Sequence, residues 1–522
     1  MSNSESGSNP ALRTWPWAIG VAFLGSCTLW WAGLGVNWPL WVTAATAGAW
    51  IASRYRLGRL SRPALWAGIW AIVLSTGVVF ATGTIAGFAV VISLIMLAQL
   101  AVHASEIPLT AVRTLTMMTA PLFALGRALI GTIVEITALP GITGSQRGKA
   151  VLRGVCLAAP LLVVLVAVLG DADPIFGDIR DAVSQWFPNI ISAHTLFFFF
   201  LLAVTLGTYS AIAREQKAID VRLPAAIRSR LSLGRTERTI VIVTVTTIVW
   251  LFVVSAVTTW FANPAGTAGT GVTYAEYARR GFGEVALAVT IVIGTIFAID
   301  RCAANGNDER SRLEHRTMWG AVGALAIMLV IAFARVIAYE QMYGYTMSRV
   351  YAQLYMCFLG CAILLMGLEL LAGRPSGRYT FRLANVALAT FAVALYWNTD
   401  AWVLNKNIDL AHAATTSTNS PRAFDADYLW QLEQYHIIPT IIRRFDTLDV
   451  TTRSHAQHWL ACRAASQNDV DSRWFAYNVR VRQSTRQLRT FITTHGVFPS
   501  RADCQFTTAA NTAVPASATT QR

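Results

Sequence analysis

Four short stretches of this 522-residue chain carry polar residues in patterns that chemistry could use. Asp171 and Asp173 stand two apart before Pro174, so their carboxylates can converge on one divalent ion where the backbone turns. The plainer reading is a helix that ends in water, with Pro174 stopping it. Thr273 to Glu284 carries Tyr274, Tyr277, Arg279 and Glu284 into the apolar run 285–299. Arg335, Glu340, Tyr343 and Arg349 flank the turn Gly344-Tyr345-Thr346, and Asn398 and Asp400 follow the last long apolar run. Carboxylates in such places can bind metal or act as a general base, while arginines can hold a phosphate through paired N–H groups.

Each pattern has a bland counterpart. Any single tyrosine of the set fits the aromatic belt at a membrane surface. Arg335 is harder to dismiss, because inside the run 321–338 a cation costs a few kcal/mol unless it is paired, and Glu284 and Glu340 are the available partners. His194 opens an apolar run beside Phe197 to Phe200 and reads as an interfacial residue rather than a ligand. His455 and His458 have helical spacing but lack further ligands nearby. No Walker loop, His/Cys metal cluster or Gly-x-Ser-x-Gly elbow is present.

The elements that would position these residues are apolar. The chain is 54% hydrophobic and only 13% charged, too apolar for a soluble globular protein of this length. Its net charge of +14 does not point to nucleic acid, because the arginines sit in short loops between apolar runs, where they orient the chain in a bilayer. Runs near spanning length fall at 17–36, 39–53, 64–82, 84–103, 150–170, 190–213, 239–261, 281–299, 318–338, 350–372 and 381–397. The expectation is an all-α polytopic bundle of about eleven spans. Basic residues crowd 54–62, 214–238, 301–316 and 374–382, which places those loops and the N-terminus in the cytoplasm. This parity requires 109–139, interrupted by Arg113, Pro121, Arg127 and Glu135, to lie along the cytoplasmic face. If that stretch spans instead, everything upstream flips.

The expected domains are a cytoplasmic segment 1–16 and a membrane domain 17–398, with the face-lying segment inside 104–149. A soluble helical domain outside the membrane, 399–506, and a disordered Ala/Thr-rich tail, 507–522, complete the chain. Leu404, Ile408 and Ala411 have helical spacing, and further helical patterns follow at 426–445, 452–467 and 471–494. Cys462 and Cys504 fall in the domain expected to face an oxidising compartment, which suggests one disulfide; two free thiols are the alternative.

These residues also carry a family likeness. Leu169-Gly-Asp171-Ala-Asp173-Pro174-Ile-Phe176 resembles a signature of a bacterial multispanning family catalogued as domain of unknown function 4173, near the 4153 group. Thr273 to Phe282 is similar to that family's tyrosine-alanine-glutamate-tyrosine signature. The spacing of Arg335, Tyr339, Tyr343 to Thr346 and Arg349 resembles its later motifs, as do Asn398 to Asn405 and Asp425 to Leu429. Gly170 and Tyr345 depart from the pattern. The resemblance implies a bacterial cytoplasmic-membrane protein with its site at the outer face, and it carries no activity. The expected function is binding or sensing of an envelope component, such as a lipid headgroup. A lipid-linked glycosyl or phosphoryl transferase, using a divalent metal at Asp171 and Asp173, and a secondary transporter are the alternatives.

Overall fold

The computed structural model describes residues 12–57, 61–104, 128, 131–132, 193–213, 234–262, 274–301, 311–372, 378–416, 428, 430–466, 473–496 and 504. Among the described residues every regular element is helical. The chain divides into two compact units, one of Met1–Val79, Thr84–Val221 and Asp471–Asn478, the other of Phe80–Gly83, Arg222–Val470 and Val479–Arg522.

The first unit holds α1 (Trp15–Leu29), α2 (Asn37–Leu57), α3 (Arg62–Gly77), α5 (Ala193–Ala213) and all but the first residue of α4 (Gly83–His103). Proline stands in the first turn of α1 and of α3, where its missing N–H removes no helical bond. α1 stops at Leu29, well short of the run expected to reach residue 36. The cause is Asn37, whose side-chain amide donates to the Thr28 carbonyl at 2.9 Å while its oxygen accepts from the Gly35 and Trp38 amides. A loop therefore fills residues 30–36, rather than the two-residue connection at Asn37 and Trp38 that the hydropathy pattern suggests.

Polar contacts link the helices of this unit. Trp38 Nε1 donates to Ser93 Oγ at 3.0 Å, Tyr209 to the Ala45 carbonyl at 3.0 Å, and Thr205 to the Ala18 carbonyl at 3.1 Å. Such bonds matter between apolar helices, because lipid offers no hydrophobic drive for one helix to prefer another. His194 belongs to the same framework: its Nε2 lies 2.8 Å from Ser26 Oγ and its ring stacks on Trp30.

In the second unit α6 (Arg235–Ala262), α7 (Tyr274–Arg301), α8 (Arg312–Tyr343), α9 (Met347–Leu371) and α10 (Arg378–Tyr396) pack around Val292, Ile296, Met318, Leu325 and Met366. Ile248, Leu251, Val330 and Leu364 are exposed, so these helices are apolar outside as well as inside. That is the pattern of helices surrounded by lipid. Five helices among the described residues are long and apolar enough to cross a membrane, within α4, α6, α8, α9 and α10; Trp15–Leu29, Phe197–Ala213 and Leu287–Ile299 are apolar but shorter. Each expected run coincides with a helix except 150–170, which lies outside the described residues, as do most of 104–149 and the tail 507–522.

α11 (Thr399–Thr416), α12 (Gln434–Arg444), α13 (Val450–Ser466) and α14 (Val479–His495) build a second core from Leu404, Ile408, Ile437, Ile438, Leu460 and Leu488. Val350, in the first turn of α9, joins that core. Pro439 sits inside α12 and cannot donate to the carbonyl of Tyr435 four residues back. The buried hydroxyl of Ser484 on α14 donates to that carbonyl instead, which removes the main cost of the proline. A disulfide joins Cys462 to Cys504, with Cα atoms 5.4 Å apart.

Candidate functional site

The polar residues singled out on α8, α9 and α11 are found at one end of the second unit, organised around the turn 344–346. Gly344 ends α8 at φ +79°, a left-handed conformation that a side chain disfavours. A Cβ there would also stand 2.9 Å from Asn407 Oδ1. Asn407, on α11, clamps the turn from both sides: its oxygen accepts from the Tyr345 amide at 2.7 Å and its nitrogen donates to the Tyr345 carbonyl at 2.8 Å. Tyr428 accepts from the Met347 amide at 2.7 Å, capping the start of α9, and Tyr345 packs edge-on against Trp402.

On this fixed turn the Arg349 guanidinium lies 4.1 Å from the centroid of Tyr339 and donates to the Gly344 carbonyl. Tyr339 in turn packs on Tyr343, which is exposed. Glu340 is only 3% exposed and accepts from Gln353 Nε2 at 2.6 Å, leaving its other oxygen without a hydrogen bond among the described residues. Arg335 is also buried, at 7% exposure, on the same helix. Burial, and after it the Glu340 carboxylate, hold the Tyr345 phenol above the ordinary tyrosine range. The arrangement offers a half-buried guanidinium, held in place by a ring and a carbonyl, beside aromatic surface.

Asn398 and Asp400 organise the neighbouring helix starts. The Asn398 oxygen accepts from the Ala401 amide, capping α11, while its nitrogen donates to the His436 carbonyl. Asp400 Oδ2 lies 2.7 Å from His436 Nδ1, and Oδ1 accepts from the Glu433 amide at 3.3 Å. His436 Nε2 faces Thr82 Oγ1 at 3.2 Å. Arg480 donates to the carbonyls of Phe80 and Tyr396, fixing the segment that carries Thr82. Burial lowers the proton affinity of this guanidinium, and Asp400 raises it again in part. The Tyr351 and Thr399 hydroxyls, 3.4 Å apart, connect α9 to the start of α11.

Of the remaining expected residues, Tyr274, Tyr277, Arg279 and Glu284 all lie on the first turns of α7, which begins at Tyr274 and runs unbroken into the apolar stretch. Asp171 and Asp173 lie outside the described residues. Sequence reasoning missed Thr82, Gln353, Asn407, His436 and Arg480. A signal existed for His436: Glu433-Gln434-Tyr435-His436 puts acid, amide, phenol and imidazole directly before an apolar pair, the same form as the Thr273–Glu284 stretch.

With every regular element of its described part helical, and with apolar helices of spanning length, the chain is a membrane protein. Its residues 68–443 match the family model described as Domain of unknown function (DUF4153), and the chain belongs to that family. The expected likeness to the 4153 group is thereby shown, while 4173 itself is not. The matched residues include Thr82, the α8–α9 turn, Asp400 and His436. Searches of curated proteins and of solved structures found no match.

Proposed function

We propose that this protein binds or senses an envelope component carrying a phosphate group at an outward-facing polar site formed by the α8–α9 turn. The carrying observation is the double clamp of Asn407 on Tyr345, which fixes the turn and with it the guanidinium of Arg349. An arginine positioned before its ligand arrives loses little freedom on binding, and its planar fork suits phosphate oxygens. Arg335, buried on the same helix as Glu340, adds positive potential from within the helix in this reading.

The finer topology belongs to the same proposal: about eleven spans, a cytoplasmic N-terminus and a helical domain at 399–506 outside a bacterial cytoplasmic membrane. Two independent features support it. Basic residues crowd 54–62, 214–238, 301–316 and 374–382, in alternate connections between the apolar runs, and the Cys462–Cys504 disulfide suits an oxidising compartment. Reporters fused after Arg312 and after Ala414 should fall on opposite sides; the same side for both refutes the orientation.

The binding test uses full-length protein in detergent and vesicles of phosphatidylglycerol or of phosphatidylcholine. Arg349→Gln should weaken retention of phosphatidylglycerol roughly tenfold, the worth of one charge-assisted hydrogen bond. Equal retention by the variant overturns the reading.

A further inference from the structure

A hydroxyl, an imidazole and a carboxylate stand in series in the second unit. Thr82 Oγ1 is 3.2 Å from His436 Nε2, and His436 Nδ1 is 2.7 Å from Asp400 Oδ2. The imidazole and carboxylate are buried at 5% and 7% exposure, while Thr82 is half-buried and Gly83 beside it is exposed. In the neutral imidazole tautomer whose Nδ1 proton bonds the carboxylate, Nε2 is the acceptor that faces the hydroxyl. Gly83 follows Thr82 at φ +66°, a backbone turn that sets the hydroxyl at a corner before α4 begins.

We propose that Thr82, His436 and Asp400 form a nucleophilic relay that takes an acyl group from an amphiphilic ester and passes it to water or another alcohol. The proposal stands apart from the binding site at Arg349. The substrate class follows from placement. Thr82 immediately precedes one candidate span, and Tyr396, whose carbonyl shares Arg480 with that of Phe80, ends another. Phe80 and Tyr396 pack on each other and are both partly exposed, as aromatic residues are at the level of lipid headgroups. An ester presented there has its acyl chain in the bilayer and its alcohol in water.

In the first step Thr82 Oγ1 forms a bond to the acyl carbonyl carbon while its proton moves to His436 Nε2. The bond from that carbon to the ester's alcohol oxygen then breaks, and the departing oxygen takes the proton from His436. The protein is left as the Thr82 acyl ester, with the free alcohol released. In the second step water or an acceptor alcohol gives its proton to His436 and attacks the same carbon; Thr82 leaves as its alkoxide and regains the proton. Asp400 does not touch the substrate: it is a positioning residue that fixes the tautomer and orientation of His436 and stabilises the imidazolium formed in each step.

The probe is p-nitrophenyl decanoate, added to full-length protein in detergent micelles. A burst of p-nitrophenolate equivalent to the protein is expected, together with a decanoyl group on the peptide that contains Thr82. Thr82→Ser should keep both signals and Thr82→Val should abolish them, with thermal unfolding of each variant followed in the same micelles. Asp400→Asn should slow the burst by roughly 10³–10⁴-fold and displace its pH midpoint, which a purely structural tie would not do. Wild-type protein that shows no burst above Thr82→Val, or whose acyl group maps to another residue, overturns the proposal. Should Thr82→Val fail to fold, the mapped position in the wild type and the Thr82→Ser result decide.

Discussion

The two ends of α8, a helix of 32 residues, treat charge in opposite ways. At its start Glu314 is part of a capping box with Ser311, accepts from Thr239, and lies 3.8 Å from Arg238, with both charged side chains buried. On the next two helices Glu369 and Arg382 meet at 2.9 Å. At the far end Glu340 rests on an amide, and Arg349 rests on a phenol ring and a carbonyl. At one end Glu314 and Glu369 each face an arginine. At the other, the hydrogen bonds of Glu340 and Arg349 run to an amide and a carbonyl, which fixes the positions of both groups.

The largest effect expected from this contrast is at Glu314. Replacing it by leucine takes the carboxylate away from the buried Arg238 guanidinium and should cost about 3–5 kcal/mol, whereas Arg238→Met with Glu314→Leu should restore most of the loss. Arg349→Met should cost less than about 1 kcal/mol while weakening phosphate binding roughly tenfold. Thermal unfolding in micelles checks both, and equal losses at the two ends would erase the distinction.

Next in size is the disulfide, which closes a separation of 42 residues. Cys462→Ser should lower the stability of the α11–α14 region by about 2–4 kcal/mol. Hydrogen exchange should show the loss concentrated there, with the α6–α10 core little changed.

A smaller effect is expected at the clamp. Asn407→Ala removes two bonds to the Tyr345 backbone and should cost about 1–3 kcal/mol, and it should weaken phosphate binding even though Arg349 is intact. Unchanged binding would mean that the turn does not need its clamp.

The smallest is a helix cap. The Asp449 carboxylate accepts from the Thr452 amide at 3.0 Å, and the Thr452 hydroxyl and amide together hold it below the ordinary carboxylate range. A depressed folded value means that the contribution is present above the unfolded value of about 4 and fades as the pH falls through the folded one. Asp449→Ala should therefore cost about 1 kcal/mol near neutral pH. The difference in melting temperature between variant and wild type should shrink in strong acid; a constant difference would assign it to something other than the carboxylate.

The fold was readable where the chain repeats one kind of residue. Long apolar runs mark helices because lipid accepts no exposed backbone polar group, so α4, α6, α8 and α9 declare themselves. The spacing of Leu404 and Ile408 likewise marks α11, where both are buried. Helix ends were less readable, since α1 is stopped by the side chain of Asn37, a local competition that a hydropathy window averages away. For the site, Arg335, Glu340, Arg349 and Asp400 stood out because charge is unusual beside apolar runs. Their partners did not. Asn407 and His436 are ordinary polar residues on ordinary helices, and only packing brings them to Tyr345 and Asp400.

The separation of Thr82 from His436 has a consequence for how the protein is made. The two residues are 354 positions apart, so a ribosome must complete most of the chain before the imidazole exists to meet the hydroxyl. Asn407 likewise appears 62 residues after the turn it clamps, once α9 and α10 have been synthesised. A nascent or truncated chain thus holds only the early half of each arrangement. Both are completed late in biosynthesis, when the segments that carry α11 and α12 have been made and have packed against the residues they contact.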